Sequence, residues 1–247
     1  QVTMDDLRLY RFGKREHLCG LIHKGELCLN PATSYGEKGL SKGAFDPGEL
    51  RFEQTLPEGV EFEAFSGKTG KSKGKLEVIG IGPAIAESET NYYVFCMSYR
   101  YLHEFYKEFK ADTCLVITDP DRFINQACKS IMKEFPDWIV NAGTVQYRSK
   151  KCFYTMWPSY NDIFYGKDSD EFGHQYEIRI VCVPPTPIMN LEAKIIDIGN
   201  LYGYTLITGI ESPDHMIESE YTNALGSPFK CAQKLTPLPD AAAKPRD

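Results

Sequence analysis

The 247-residue sequence has no C-x-x-C pair among its eight cysteines, and its five histidines include no pair at metal-ligand spacing on one helix face. The common zinc and thioredoxin signatures are therefore missing, and no metal is expected. No apolar run approaches the roughly 20 residues that cross a bilayer, so no membrane partner is expected. Positive charge is not in excess: the net charge is −6. That excludes a uniformly basic nucleic-acid binder but not a local basic groove. No basic n-region followed by an apolar h-region stands near Gln1. Several cysteines lie inside apolar runs, as in Val94-Phe95-Cys96-Met97 and Ile180-Val181-Cys182-Val183, where a thiol acts as a small hydrophobe. The expectation is a reducing, cytoplasmic setting without disulfides. There is no internal repeat and no long linker. One domain over 4–235 is expected, with a Pro- and Ala-rich disordered tail at 236–247.

What is present is aromatic side chains, 13% of the chain, in an alternation of strand and helix patterns. Residues 7–12 read as a strand with apolar residues on both faces. Leu18, Leu21 and Ile22 predict a helix over 15–24 that Gly25 closes. A short strand over 26–29 follows, ended by Asn30-Pro31. Strands are also expected over 75–81, 92–97, 114–117, 143–147, 177–183, 194–198 and 202–207, with a short helix over 102–109. Asp119-Pro120 opens the clearest helix, with Phe123, Ile124, Ala127, Cys128, Ile131, Met132 and Phe135 in one stripe. The class is α+β. Residues 36–75 have poor periodicity and read as a flexible insertion. Its SGKTGKSKGK stretch is expected as a loop or hairpin tip whose Lys68, Lys71, Lys73 and Lys75 offer a local phosphate contact.

Three near-motifs fail on their own chemistry. Gly67 to Ser72 imitates a phosphate loop, but Phe65 stands where its first Gly belongs and a strand pattern follows instead of a helix. Gly80-Ile-Gly82 lacks the third glycine of a dinucleotide fingerprint. Asp168 to Gly173 opens like a calcium loop, yet Phe172 and Arg179 occupy ligand positions. Asp168 or Asp170 with Glu192-Ala-Lys194 imitates a metal-dependent nuclease site, the third-ranked reading.

One constellation carries more. Leu9-Tyr10-Arg11 places a cation on the first strand. Thr33-Ser34-Tyr35 follows the second strand. Gln175-Tyr176-Glu177 enters the strand EIRIVCV, where alternation sets Gln175, Glu177 and Arg179 on one face and Ile178 and Ile180 on the other. A carboxylate entering a buried strand is tolerated at its end or in a cleft.

In this order of elements the chain resembles the ADP-ribosyltransferases of the arginine–serine–glutamate class and the related DNA-targeting toxins. It also resembles a group of uncharacterised bacterial domains, through the LYR opening, Phe95-Cys96-Met97-Ser98, Val145-Gln146-Tyr147, and Lys167 with Tyr176-Glu177 and Arg179. The first resemblance implies a mostly antiparallel, split central sheet with short helices. It implies NAD as substrate, with Arg11 on its phosphates or adenosine ribose, Thr33 among the NAD-binding residues, and Ser34 supporting the glutamate or the ribose. Tyr35 would stack on nicotinamide. Glu177 would stabilise the oxocarbenium-like centre, and Gln175 would contact the acceptor. The acceptor is expected to be nucleic acid or protein, for a toxin or phage-defence effector with a possible antitoxin. The alternative is a non-catalytic ligand-sensing or protein-interaction module on the same scaffold. Two consequences are sharp: Arg11, Ser34 and Glu177 share one cleft, and Glu177→Ala removes activity without changing the melting temperature.

Overall fold

The computed structural model describes residues 7–37, 39–65, 71–154 and 158–209. Lys68, the 236–247 tail and the end of the expected domain lie outside them. In chain order the elements are β1 (Leu9–Gly13), α1 (Arg15–Lys24), β2 (Glu26–Pro31), a 3-10 turn (Ala32–Gly36), β3 (Arg51–Leu56), β4 (Glu61–Phe65), β5 (Ser72–Glu77), β6 (Gly82–Glu87) and β7 (Tyr93–Ser98). There follow α2 (Glu104–Glu108), β8 (Thr113–Ile117), α3 (Pro120–Glu134), β9 (Ile139–Thr144), β10 (Gln146–Arg148), α4 (Tyr160–Tyr165), β11 (Gly166–Asp168), α5 (Ser169–Phe172), β12 (Glu177–Val183), β13 (Lys194–Asp197) and β14 (Thr205–Gly209).

Among the described residues eight strands form one sheet in which every pairing is antiparallel. β7 and β12 lie side by side at its centre, from Glu177 opposite Ser98 to Cys182 opposite Tyr93. The other edge of β7 is shared. β2 pairs with it at Val94 and Tyr93, and β1 pairs with it at Ser98. The two strands part between those points, so residues 95–97 face a gap. The fold is α+β with a mostly antiparallel sheet, as the sequence predicts.

Strand alternation sorts the side chains. Tyr93, Phe95 and Met97 of β7 and Ile178, Ile180 and Cys182 of β12 join the main core beneath α1 and α3. α3 begins as its sequence predicts: Pro120 is in its first turn and the Asp119 carboxylate accepts the Arg122 amide at 3.0 Å. Phe123, Ala127 and Ile131 are its buried stripe. The opposite face of the sheet carries two smaller clusters. Tyr10, Phe12, Cys114 and Val116 pack on Phe105 and Tyr106 of α2, and Tyr92, Val94, Val181 and Val183 pack on Ile163 and Phe164 of α4. Between the two clusters the face is polar.

Gly25 ends α1 in the left-handed region at φ 71°. A Cβ there would lie 2.5 Å from Gly199 O and 2.6 Å from Gly199 N. Both backbone strain and overlap oppose a side chain, so Gly25→Ala is expected to cost roughly 2–5 kcal/mol in chemical denaturation. A loss under about 1 kcal/mol would show that the α1–β13 junction yields freely.

Strands occupy much of the 36–75 segment, where periodicity is poor. β3 pairs with β6 and β4 pairs with β5, which makes one long two-stranded arm. Its base is core: Phe52, Leu56 and Ala84 are buried. The glycine-rich composition concealed strands because only alternate residues of the base meet apolar neighbours.

Candidate functional site

The polar face between the two small clusters begins with β12. Glu177 and Arg179 point to that side, and burial there is tolerable only with partners. Arg179 Nε donates to Glu177 Oε1 at 2.8 Å. Its Nη1 donates to Glu49 Oε1 at 2.6 Å and to Phe164 O at 2.7 Å, and Nη2 reaches Glu49 Oε2 at 3.3 Å. The fork geometry of guanidinium suits this two-point grip on a carboxylate. Lys167, at the β11 strand, brings its ammonium 3.1 Å from Glu177 Oε2, 3.3 Å from Asp46 and 3.6 Å from Glu49. The backbone N–H of Glu177 donates to Tyr147 Oη at 2.8 Å. Tyr92 Oη donates to Glu49 O at 2.7 Å.

Three carboxylates thus face two cations away from water. Burial opposes the charge on Glu177, but Arg179 and then Lys167 overcome it and hold the carboxyl down at about 2. Burial pushes Glu49 upward against the pull of Arg179 and Lys167. Burial works against the Lys167 cation, yet Glu177 and Glu49 raise its pKa above the ordinary value. Cys96 sits beside Glu177; burial, then that carboxylate, pushes the thiol up and favours its neutral form.

Glu49, Lys167 and Glu177 form one wall of a cleft of about 350 Å³. Arg11, Ser34, Tyr35 and Gln175 line the same cleft. Arg11 explains the gap in the sheet. Its Nη1 donates to Cys96 O at 2.6 Å, satisfying a carbonyl that neither β1 nor β2 reaches, and its guanidinium lies over the Phe95 ring at 5.0 Å. Among the described residues no carboxylate stands within ion-pair distance of Arg11.

The remaining expected residues have definite positions. Ser34 Oγ donates to Pro31 O at 2.7 Å, so its oxygen faces the cleft as an acceptor only. Burial pushes the Tyr35 hydroxyl up, so it remains neutral. Thr33 is exposed and is not in the cleft lining; its hydroxyl accepts from Asn91 Nδ2 at 2.8 Å. The turn that puts Ser34 and Tyr35 inward leaves Thr33 outward. Gln175 is buried, and its amide donates to Gly43 O at 2.9 Å and Glu108 Oε1 at 3.2 Å. It fastens the 40–44 segment across the cleft, a contact the acceptor role did not anticipate.

Sequence reasoning missed Asp46 and Glu49, which lie in the segment read as an insertion. A signal was there: Asp46-Pro47-Gly48 is a turn, closed by Gly48 N–H donating to Asp46 Oδ1 at 3.0 Å, and it sets Glu49 just before a strand. The expectation that Glu177→Ala leaves melting unchanged is corrected by the ion cluster, because Glu177 is an anchor for two buried cations. The nuclease triplet is dispersed among other partners: Lys194 pairs with Glu134, Asp168 with Lys150 and Asp170 with Lys151. Among the described residues no group of three His, Cys, Asp or Glu is placed to hold a metal ion. No described helix is long and apolar enough to cross a membrane. Of the lysines of the arm, Lys75 stands opposite Glu63 in the β4–β5 register and pairs with Glu61 at 3.3 Å. No family model, curated protein or solved structure matches the chain.

Proposed function

We propose that the cleft binds NAD and that the chain is an ADP-ribosyltransferase acting on a nucleic-acid or protein acceptor, of the toxin or phage-defence kind. The observation that supports this most is one cleft holding both an ionised Glu177 and an Arg11 that has no carboxylate partner among the described residues. A guanidinium fixed through one N–H keeps its other donors for phosphate oxygens. An ionised carboxylate lowers the energy of a ribosyl cation as the nicotinamide bond breaks. The neutral Tyr35 offers a stacking face, and Ser34 Oγ accepts from a ribose hydroxyl. The cleft volume is within the range of small-ligand sites.

One observation favours a second reading, a ligand-sensing module: both carboxylate oxygens of Glu177 face cations of the protein itself. Calorimetry with NAD, followed by nicotinamide release in the presence of separated protein, RNA and DNA fractions, distinguishes the two. The transferase binds NAD and releases nicotinamide with one fraction. Binding without release leaves the sensor, and no binding removes NAD from both. Arg11→Ala is expected to weaken NAD binding about 10- to 100-fold through loss of a charge-assisted contact. Unchanged affinity would place the phosphates elsewhere.

A further inference from the structure

Among the described residues the distal half of the arm, β4 and β5, is a two-stranded ribbon that pairs with no other strand, and every residue of β5 is exposed. A lone hairpin is marginal in water, and a free strand edge is a template for pairing. Phe62 and Leu76 are register partners on one face of the ribbon, and Leu76, Ile79 and Ile81 are 59%, 90% and 67% exposed. The opposite face carries Glu61, Glu63, Lys75 and Glu77, in register as Glu61 with Glu77 and Glu63 with Lys75.

The backbone sets which groups are available outward. Val78 N–H donates to Val60 O, and Val78 O accepts from Gly59 N–H, so Val78 turns both groups toward the β4 side. By strand alternation Leu76 does likewise, while Lys75 and Glu77 turn theirs to the other edge of β5, which pairs with no strand among the described residues. Gly74, at φ 110°, and the register shift beside it end the regular stretch. The usable edge is therefore Lys75 to Glu77.

We propose that this edge pairs with the same edge of a second copy of the chain, joining two arms into a four-stranded sheet about a two-fold axis through Leu76. Antiparallel pairing in this register sets Lys75 opposite Glu77 of the second copy, and Glu77 opposite its Lys75. Each such pair exchanges two backbone hydrogen bonds. Leu76 meets its own copy as a close, non-hydrogen-bonded pair, and the two Leu76 and two Phe62 side chains form one apolar strip. The alternative register centred on Lys75 would oppose two lysines. Charge therefore selects the first. The occupant is a second copy because the edge is complementary to itself in both charge and hydrogen-bonding groups, an isologous contact.

Sedimentation equilibrium of the full chain over a wide concentration range tests this. Wild type is expected to dimerise. K75E and E77K each turn two attractive pairs into repulsive ones and are expected to raise the dimer dissociation constant at least about tenfold. The double variant K75E/E77K restores the pairs and the dimer, and far-UV circular dichroism of each variant checks that the fold is kept. Leu76→Cys is expected to give a covalent dimer on mild oxidation beyond the level of wild type, whose Cys28 and Cys152 are also exposed. A chain monomeric at every concentration overturns the proposal. So does a dimer indifferent to K75E and E77K, or an arm that binds a different protein while the chain stays monomeric.

Discussion

Arg179→Met is expected to lower the unfolding free energy by roughly 3–5 kcal/mol, the cost of breaking a buried ion pair from one side. For a chain of this size that is a fall of about 6–20 °C in melting temperature. Methionine approximates the volume of the lost side chain, so the deficit is electrostatic more than steric. Without the guanidinium, Glu177 and Glu49 lose their nearest cation, the Phe164 carbonyl loses its donor, and Lys167 alone faces Asp46, Glu49 and Glu177. A double-mutant cycle with Glu49→Gln isolates the contact. Because Arg179 grips both oxygens of Glu49, the second substitution is expected to cost less after the first, with a coupling above about 1 kcal/mol. Strict additivity would mean that the two do not act as a pair.

Glu177→Gln is expected to end nicotinamide release and to lower the melting temperature at neutral pH. The second effect follows from the cluster. The folded pKa of about 2 lies below the ordinary carboxylate value. The ionised group therefore contributes stability that is fully present above about 4.5 and is lost as pH falls toward 2. Glu49 is pushed the other way by burial and contributes with opposite sign. The informative quantity is therefore the difference between wild type and Glu177→Gln. That difference in melting temperature is expected to be large at pH 7 and to shrink steadily between pH 4.5 and 2. A difference constant over that window would show that Glu177 is not the titrating anchor. Retained nicotinamide release in the variant, with the fold intact, would remove Glu177 from the chemistry.

Much of this site was legible in the chain. Alternation along EIRIVCV separates Glu177 and Arg179 from Ile178 and Ile180, and the structure has that division. The LYR, FC-x-S, V-x-Y and K…YE-x-R segments supply Arg11, Cys96, Ser98, Tyr147, Lys167, Glu177 and Arg179. Ser98 Oγ donates to Gln175 O at 2.8 Å, which ties two of these segments together. They stand in the sequence as a pattern, but neither their meeting nor their partners can be read from it. Glu49 and Arg179 lie 130 residues apart in the chain, and no local periodicity links them.

Local physics settled the elements: period-two alternation in β12, the Asp-Pro start and apolar stripe of α3, and the left-handed glycine after α1 are each written within a few residues. Register settled the site. Only the pairing of β1 and β2 with opposite ends of one edge of β7 opens the gap that Arg11 fills. Only the fold of residues 46–49 back onto β12 brings Asp46 and Glu49 to Lys167 and Arg179. Those contacts arise because buried charges must find partners wherever the topology offers them, and sequence distance does not constrain that choice.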